Sequence, residues 1–579
     1  MSVIKFAGDF ETNNHIEDCR VWAYSLSEIG NPTNFIYGNS IEGFFDFCSD
    51  KNNNYVIYFQ NLKFDGEFIF SYLLNNGFTC IEDKKDRADK TFTCLISGLG
   101  QFYSIEVYFT VNKKKVNKVT FYDSLKILNF SVEKIAKDFN LPLRKLTLDY
   151  NKAREIGHEL TQDEIEYIKN DVVIMAMALD IMFKNGLNKM TIGADALSDY
   201  KDLCYGFNKY YPTLDINIHS QIKESYKGGF TYLNPLYKNK ETGSGIVFDK
   251  NSMYPAKMVN ELLPYGEPVY FEGKYEADSR YKLYIQVIHV IFDIKKGKIP
   301  SIQIKNDLRF KPNEYIESTD GEIVTLVLTN VDLDLFLTQY DVSYIKYDGG
   351  FKFKGVKGLF NNYIDKWTNE KIKAKKEGNG AMYMISKLML NSLYGKFGVN
   401  TLVTGKYPTL DEDGVIRYKR YDDKIRDSLY VATASFITSY ARADIILSSQ
   451  AIRDYSLEKY GVDYYIYSDT DSIHCLFTNS DELKGILDID DYRLGAWKME
   501  STFKKGKYIR QKCYLEIDDE DNKNVTVAGL PKKLSDKVTL ENFKTGAKYY
   551  GKLVPTHVKG GIVLLETTFE IKEEFRSIF

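Results

Sequence analysis

The pattern of apolar and polar positions changes several times along the chain. In its first part, stretches with the pattern of β-strands alternate with stretches that have the periodicity of α-helices. Apolar runs at 4–10, 21–26 and 55–59 predict strands, and the pattern at 64–74 predicts a helix. Alternating strands and helices are typical of an α/β layer. We therefore expect a layered α/β domain at the start of the chain.

Helical periodicity dominates three later stretches. Thr161 and Glu164 form a capping box ahead of an apolar run, which predicts a helix that ends near Gly186. Residues 359–397 and 432–455 predict further helices, the first of them interrupted by glycines near its middle.

Strand-like patterns with many turn residues fill much of the remaining chain. Residues 262–358 and 399–430 are of this kind, and each resembles an insertion between more regular segments. Two apolar runs around residues 468–472 predict a β-hairpin, and the tail after Gly529 is mixed.

Composition places the chain among large globular proteins. With 579 residues, of which 44% are hydrophobic and 27% charged, it can form three or more domains. The start lacks the pattern of a secretory signal, and the longest clean apolar run, 172–179, is too short to span a membrane. Seven cysteines without a CxxC pair make zinc sites and a disulfide framework unexpected, and a reducing cytosol fits.

The net charge of −3 does not indicate nucleic-acid binding, but local lysine runs do. The run at 113–115 predicts a solvated face, and another occupies 371–376. The third, 504–514, alternates basic residues with Tyr508 and Tyr514, a composition typical of a nucleic-acid groove.

The predicted hairpin carries the most informative motif, Asp469 and Asp471 at its tip. Two ionised carboxylates about 4 Å apart repel by roughly 4 kcal/mol at an effective dielectric near 20, and a divalent cation relieves that repulsion. A strand that ends at Asp249 delivers a third carboxylate. The set predicts a two-metal phosphoryl-transfer site.

A second acidic set lies near the start of the chain. Asp9 and Glu11 share one strand face, Asp65 opens a helix, and Tyr167 and Asp171 share a helix face. Each alone has a plainer interpretation as a solvated surface group, a helix cap or a surface pair. Together and in this order they predict a 3′–5′ exonuclease site with four acidic ligands.

A polar stripe follows the glycine break in the central helices. Lys387, Asn391 and Tyr394 have the spacing of one helix face, while Leu388 and Leu393 can pack elsewhere. Such a stripe is usually the wet face of a helix. Since the carboxylates require a phosphate substrate, we favour a lysine that meets a triphosphate and a tyrosine beside a base pair.

At these residues the chain resembles the family B DNA polymerases, in particular the protein-primed branch of small linear-genome Bacillus-type phages. The similar motifs occur in the family's order over nearly the full length: three exonuclease motifs at 9–12, 61–65 and 167–171, a Tyr-x-Gly-Gly element at 226–230, polymerase motifs at 249–255, 387–395 and 467–472, and a Lys-x-Tyr motif at 512–514.

The resemblance implies a multidomain α/β and α+β fold, with a ribonuclease-H-like 3′–5′ exonuclease domain followed by a right-hand polymerase with palm, fingers and thumb. The implied domains are the exonuclease (1–188), first palm part (189–261), terminal-protein region 1 (262–358), fingers (359–398), terminal-protein region 2 (399–430), second palm part (431–529) and thumb (530–579).

The resemblance also implies roles for individual residues. In the polymerase site, Asp249 and Asp471 hold two Mg²⁺ ions, which Mn²⁺ can replace, and Asp469 supports them. The implied nucleotide contacts are Met253, Tyr254, Lys387, Asn391, Tyr394 and either Lys371 or Lys375. In the exonuclease site, Asp9, Glu11, Asp65 and Asp171 hold two ions, Tyr167 orients water and Lys145 stabilises the transition state.

Contacts with DNA are implied in the same way. Those with a frayed single strand are Thr12, Asn61, Phe64, Ser124 and Leu125. Those with template and primer are Tyr226, Gly228, Gly229, Phe230, Thr438, Arg442, Lys512 and Tyr514. A lysine-rich insertion after Trp367 leaves the choice between Lys371 and Lys375 open.

The function implied is DNA-directed DNA synthesis with protein-primed initiation, processive strand displacement and proofreading. The implied partners are DNA, deoxynucleoside triphosphates, a terminal protein and single- and double-stranded DNA-binding replication proteins. A monomer in the host cytoplasm, without a membrane partner, is expected. A repair nuclease, a non-enzymatic nucleic-acid binding protein and a DNA-primed polymerase are the alternatives; the last has no need of residues 262–358.

Overall fold

The computed structural model describes residues 2–112, 115–149, 152, 154–305, 309–311 and 314–573.

The first domain confirms the predicted α/β layer, and the strand and helix predictions at 4–10, 21–26, 55–59 and 64–74 are confirmed within a few residues. Its elements are β1 (Ser2–Thr12), β2 (Val21–Glu28), β3 (Asn31–Gly38), α1 (Ile41–Cys48), β4 (Asn53–Phe59), α2 (Leu62–Asn75), β5 (Thr79–Cys80), β6 (Thr91–Ser97), β7 (Phe102–Val111), β8 (Val116–Asp123), α3 (Val132–Asp138) and α4 (Gln162–Lys184). Of the lysine run at 113–115, Lys113 and Lys114 lie outside the described residues.

Helix α4 begins with the predicted capping box. Thr161 accepts a hydrogen bond from the Glu164 amide, and the Glu164 carboxylate accepts one from the Thr161 amide. The helix packs on β1 and β2. Tyr167 and Asp171 are both buried there, so the surface-pair interpretation is wrong.

The middle of the chain forms a small helical group, part of the palm and the 262–358 region. Its elements are α5 (Ile192–Leu203), α6 (Phe207–Tyr210), α7 (Ile216–Lys223), β9 (Thr231–Leu233), β10 (Glu241–Thr242), β11 (Gly245–Lys250), α8 (Met253–Asn260), β12 (Leu263–Phe271), β13 (Leu283–Ile294), β14 (Val324–Thr329), α9 (Asn330–Gln339) and β15 (Tyr340–Val356). Strands β12, β15, β13 and β14 form one antiparallel sheet with its own apolar core, which confirms the strand-like pattern of 262–358.

Both long helical predictions are also confirmed. Residues 359–397 form α10 (Asn361–Glu377), α11 (Gly380–Ser392) and α12 (Tyr394–Phe397), and Gly378 ends α10 in the left-handed conformation. The predicted helix at 432–455 is α13 (Val431–Tyr460), which packs under the palm. Between them lie β16 (Leu402–Val403), β17 (Gly405–Leu410), β18 (Ile416–Arg420) and β19 (Lys424–Ile425).

The C-terminal part is almost entirely β-structure. Its strands are β20 (Tyr465–Asp469), β21 (Ser472–Cys475), β22 (Trp497–Phe503), β23 (Lys505–Arg510), β24 (Cys513–Ile517), β25 (Lys523–Val527), β26 (Lys548–Val558) and β27 (Gly561–Glu570). The palm sheet has the order β22-β11-β21-β20-β9, so the predicted hairpin β20–β21 lies beside the strand of Asp249.

A single large sheet connects the first domain to the 399–430 region. Its order is β18-β17-β6-β7-β8-β4-β1-β2-β3, with β5 beside β6. Strand β17 joins through the pairs Gly405–Ser97 and Lys406–Ile96. The apolar core beneath this sheet also includes Ile416 of β18 and Val563 of β27. Strands β26 and β27 pair as an antiparallel hairpin, the tail hairpin. The contacts of β17, Ile416 and Val563 with the first domain join segments about 300 residues or more apart in sequence, and no local sequence pattern predicts them.

No helix in the described part of the chain combines the length and the apolar character that crossing a bilayer requires.

Candidate active sites

The palm sheet brings Asp249 next to the hairpin tip. Asp249 at the end of β11 pairs with Ser472 of β21. The Lys250 amide donates to the Asp471 carbonyl at 2.8 Å, and the Thr470 amide donates to the Phe230 carbonyl at 2.7 Å. Thr470 has a positive φ of 62°, a strained turn that these bonds hold in place. Backbone pairing therefore sets the relative position of Asp249, Asp469 and Asp471.

Asp249 and Asp471 are half-buried carboxylates whose pKa values are both raised. Burial, followed by the charges of Asp471 and Glu500, raises the pKa of Asp249 to about 7. Burial, with a smaller effect of the Asp469 charge, also raises the pKa of Asp471. A bound cation would favour both carboxylates in their charged form.

Asp469 differs from the other two because its oxygens are occupied by protein donors. The Lys512 ammonium lies 2.7 Å from Asp469 Oδ1, and the Tyr467 hydroxyl donates to Oδ2 at 3.2 Å. Thr231 donates to Oδ1 at 3.3 Å. This arrangement suits a supporting residue better than a direct ligand.

Within the described residues, no three Asp, Glu, His or Cys side chains already converge on a point that could hold an ion. Mg²⁺ in phosphoryl-transfer sites is held by one or two carboxylates and completed by water and phosphate oxygens. The Asp249–Asp471 pair fits an ion of that kind, because oxygen ligands bearing unrelieved negative charge are what Mg²⁺ prefers.

A stability measurement can test this electrostatic reasoning. The pKa of Asp249 rises from an ordinary 3.8 to about 7 on folding, so its unfavourable contribution grows as pH rises above the ordinary range and is complete above about 7. In EDTA at pH 8, Asp249→Asn should therefore melt roughly 1–2 °C higher than the wild type. Calorimetry at pH 5 should show a smaller difference.

Magnesium should reverse the order at pH 8, because it stabilises the wild type and leaves Asp249→Asn almost unaffected. Asp519→Asn, at an exposed carboxylate, is the matched control and should match the wild type throughout. A wild-type midpoint above that of Asp249→Asn in EDTA at pH 8 would contradict the argument.

The predicted polar stripe faces the same space. Lys387 and Asn391 are exposed on α11, whereas Leu388 and Leu393 are buried. Tyr394 stacks on Tyr254 with ring centroids 4.0 Å apart and planes inclined by 18°. The stripe is therefore joined to the palm by an aromatic pair.

The structure distinguishes the two candidate lysines of α10. Lys371 is half-buried, and its pKa is lowered by burial and then by the charges of Lys387, Lys375 and Lys498. Lys375 is exposed, with its ammonium 5.5 Å from the centroid of the Tyr492 ring. Lys371 therefore lies among the cations that face the palm, and we favour it as the triphosphate contact.

The turn at 226–230 lies against the hairpin tip. A Cβ added to Gly229 would lie 2.9 Å from Thr470 Cγ2 and 3.2 Å from the Tyr254 hydroxyl, so the close approach requires glycine. Arg442 donates to the carbonyls of Lys227 and Gly228 at 2.9 and 3.0 Å. The turn and the catalytic hairpin are thus packed as one unit.

Several predicted contact residues are buried. Arg442 pairs with Asp332 at 2.6 Å, and the Thr438 hydroxyl donates to the Ala434 carbonyl. Both side chains are buried, and Arg442 is also bonded to the Lys227–Gly228 turn; their contact with DNA stays a prediction. Three more of the predicted contact residues are also buried: Ser124, Phe230 and Met253.

The primer motif is placed next to the hairpin. Lys512 pairs with Asp469, and its amide donates to the Tyr467 hydroxyl at 2.9 Å. Tyr514 stacks on buried Tyr508 with centroids 5.6 Å apart. Both predicted residues therefore adjoin the palm carboxylates.

The carboxylates of the second acidic set are buried and repel one another. Burial, followed by the charge of Asp171, raises the pKa of Asp9 to about 7. Burial, followed by the charge of Asp9, raises the pKa of Glu11 and Asp65 well above the ordinary range. Three separate elements, β1, α2 and α4, therefore carry four carboxylates that lie near enough to influence one another's charge.

Lys145 and Asp171 complete this cluster. The Lys145 ammonium lies 2.6 Å from Asp171 Oδ2 and 5.8 Å from the centroid of the Tyr167 ring. Asp171 Oδ1 is buried without a hydrogen-bond partner among the described residues. An unpaired buried carboxylate oxygen among other carboxylates fits a metal ion.

Asn61 does not form the helix cap that its position suggests. It is exposed with a φ of 74°, and its side chain makes no capping bond to α2. Instead, Asp123 accepts hydrogen bonds from the amides of Asn61, Leu62 and Leu125. The Asn61 side chain remains available to a ligand, as do the half-buried Thr12, Phe64 and Leu125.

Asp123 is a residue that the sequence reasoning missed. It ends β8 as Asp249 ends β11, followed by a short 3-10 helix at Ser124–Lys126. An Asp at the end of an apolar strand was the available signal. Its buried carboxylate fixes the backbone at Asn61 and Leu125, two of the residues predicted to contact single-stranded DNA.

Comparison with known proteins gives the class. The family model described as "DNA polymerase type B, organellar and viral" matches residues 48–484. The chain is 44% identical to the DNA polymerase of Bacillus phage Nf over 99% of its own length and 100% of that protein. It is 43% identical to that of Bacillus phage phi29, over 98% and 99%.

A solved structure agrees with these sequences. Phi29 DNA polymerase complexed with primer-template DNA and incoming nucleotide substrates superposes with a TM-score of 0.91 at 42% identity, covering 98% of this chain and 100% of that one. The chain thus belongs to the family B DNA polymerases. Within them it is of the phi29-like Bacillus phage type, and the expected exonuclease-plus-right-hand fold class is confirmed.

Proposed function

We propose that this DNA polymerase carries out two-metal phosphoryl transfer at two separate sites, one for synthesis and one for proofreading. The observation that supports this most is the pair of carboxylate clusters, in which burial and mutual repulsion raise the pKa of Asp249 and of Asp9 to about 7. We include DNA and deoxynucleoside triphosphates as partners on the strength of the family and the phi29 complex.

In the polymerase site, Asp249 and Asp471 would hold two Mg²⁺ ions, with Mn²⁺ able to replace them. Such ions activate a primer hydroxyl and neutralise charge on the triphosphate. Lys512 holds Asp469 in place through their ion pair, and Lys371 and Lys387 would face the phosphates from the fingers. Asn391 and Tyr394 border the nascent base pair.

In the exonuclease site, Asp9, Glu11, Asp65 and Asp171 would hold two ions. Tyr167 would orient the attacking water, and Lys145 would stabilise negative charge on the phosphate from its place beside Asp171. The exposed Asn61 and the half-buried Thr12 and Phe64 would hold the frayed strand.

Tyr254 is proposed to exclude ribonucleotides. Its ring is held by stacking on Tyr394, beside Gly229, and has little room to move away from a 2′-hydroxyl. Tyr254→Val should raise the relative use of ribonucleotides by at least roughly tenfold, the scale of one steric mismatch. Single-nucleotide insertion with both sugars measures this ratio.

Tyr254→Phe keeps the ring and should discriminate as the wild type does. An unchanged ratio in Tyr254→Val would remove Tyr254 from this role.

We propose processive, strand-displacing synthesis because three segments contact one another in a ring: the 399–430 region, the tail hairpin and the exonuclease domain. Val415 of the 399–430 region forms a β-bridge with Lys559 of the tail hairpin. Tyr418 donates to Glu67 of the exonuclease domain at 2.8 Å, and Asn14 donates to the Leu564 carbonyl at 2.8 Å. If DNA passes through such a ring of contacts, the ring would resist its dissociation; we propose that the three segments belong to the exonuclease domain, the 399–430 region and the thumb.

Initiation on a protein hydroxyl is proposed because the 262–358 region adds a separate sheet beside the palm. A protein hydroxyl could enter the same site as a primer 3′-hydroxyl, since the chemistry needs one oxygen in line with the α-phosphate. The proposed primer is a terminal protein. Single- and double-stranded DNA-binding replication proteins are further proposed partners, in the host cytoplasm and with a monomeric enzyme.

The test combines the enzyme, its cognate terminal protein, one labelled deoxynucleotide and Mg²⁺ or Mn²⁺. Label covalently bound to the terminal protein supports protein priming, and Asp249→Ala is the control that should show none. Robust extension of a DNA primer without any labelled protein would identify a DNA-primed enzyme instead.

A further inference from the structure

The strand beside Asp249 carries a lysine that neither the motifs nor the proposed mechanism uses. Lys498 of β22 lies directly across from Asp249 in the antiparallel β11–β22 pairing. Directly opposed residues of such a pair point to one face of the sheet, with Cβ atoms about 5 Å apart. Lys498 therefore emerges on the face that presents the catalytic carboxylate.

The Lys498 side chain is exposed, and no described residue forms a hydrogen bond or an ion pair with its ammonium group. Its charge nevertheless acts on Asp249 of the palm and on Lys371 of the fingers. It opposes the rise in the pKa of Asp249, and it contributes to the lowered pKa of Lys371 on α10. Lys498 thus lies between the palm carboxylates and the fingers lysines.

Like charges from three elements face the same space. Lys371 is on α10, Lys387 on α11 and Lys498 on β22, and the other two lysines both depress the pKa of Lys371. Cations that approach one another are stabilised by a polyanion between them. A deoxynucleoside triphosphate, with about four negative charges, is the substrate of that chemistry.

A backbone irregularity supports the placement. The β11–β22 register shifts between Val247 and Phe248, which leaves Glu500 as the extra residue of a bulge. Bulges next to active sites bend a strand and redirect side chains. The bulge lies two residues after Lys498. It separates the start of β22, which contains Lys498, from the rest of the strand, where the pairing with β11 is regular again.

We propose that Lys498 is a phosphate-binding residue on the palm that contacts the β- or γ-phosphate of the incoming triphosphate, opposite Lys371 and Lys387. The proposal rests on the polymerase site described above. Because β22 belongs to the palm sheet, Lys498 would keep its place when fingers helices move. It would therefore also contact pyrophosphate before release and in the reverse reaction.

The test uses Lys498→Ala and Lys498→Arg in single-nucleotide insertion on a primed template. For Lys498→Ala the KM for the nucleotide should rise roughly five- to tenfold, the size expected for one exposed charge-assisted contact, while kcat changes less. The pyrophosphate concentration for half-maximal pyrophosphorolysis should rise in parallel. Lys498→Arg, which keeps the charge, should restore most of both.

Lys484→Ala, at another exposed palm lysine, is the matched control and should behave as the wild type. Circular dichroism and degradation of single-stranded DNA, which depends on the other site, should be unchanged in every variant. An unchanged nucleotide KM in Lys498→Ala overturns the proposal. So does a change confined to the KM for primer-template, which would place Lys498 on the DNA backbone.

A wild-type enzyme that failed to extend any primer would contradict the polymerase assignment itself, and that outcome is distinct from failure of the Lys498 variants.

Discussion

Asp249→Ala should abolish primer extension, with a loss of roughly a thousandfold or more, and should leave degradation of single-stranded DNA near the wild-type rate. The expected loss follows from removing a carboxylate that would bind metal, worth about 4 kcal/mol of transition-state stabilisation at roughly tenfold per 1.36 kcal/mol. The proposed exonuclease site should be spared, because its carboxylates lie on β1, α2 and α4 of another domain. Extension of a labelled primer and decay of a labelled oligonucleotide measure the two rates.

Two further variants make this comparison sharper. Asp469→Asn should lose less activity than Asp249→Ala, because Asp469 is held by Lys512, Tyr467 and Thr231 and acts as a support. Asp488→Ala, at an exposed palm carboxylate, should extend primers normally. Loss of both activities in a folded Asp249→Ala protein would show that the two sites are not independent.

The combined change of Asp9→Ala and Asp65→Ala gives the reverse result. Degradation of single-stranded DNA should fall by roughly a thousandfold or more, while primer extension persists. The reason is the same cluster that raises the pKa of Asp9 to about 7, since removal of two carboxylates leaves too few ligands for two ions.

A primer with a mismatched 3′ end provides the measurement, because the variant should extend it without removing the mismatch. Asp46→Ala, at an exposed carboxylate of α1, is the matched control. Full exonuclease activity in the double variant would place the proofreading site elsewhere.

Local patterns predicted much of the fold and most of the candidate sites. The capping box at Thr161 marked the start of α4, and the apolar runs before Asp9 and Asp249 marked β1 and β11. Acidic residues at strand ends located both carboxylate clusters. The helix and strand predictions were confirmed because capping, periodicity and strand ends depend on neighbouring residues alone.

Long-range pairing was not predictable in the same way. Strand β17 joins β6 across about 300 residues, which places the 399–430 region on the exonuclease sheet. Arg442 matched a DNA-contact motif yet holds the Lys227–Gly228 turn from a buried position. Register and burial depend on which segments meet, and that choice is made by the whole core.

The sequence by itself determined which residues carry charge, where strands and helices begin, and which motifs occur in which order. Only the tertiary structure decided that Asp123 caps α2, that Asp469 is held by Lys512, and that Lys498 stands across from Asp249. The physical reason is distance along the chain. Side-chain chemistry and helix or strand preference are local, whereas the electrostatic environment of each carboxylate is set by residues that only folding brings within a few ångströms.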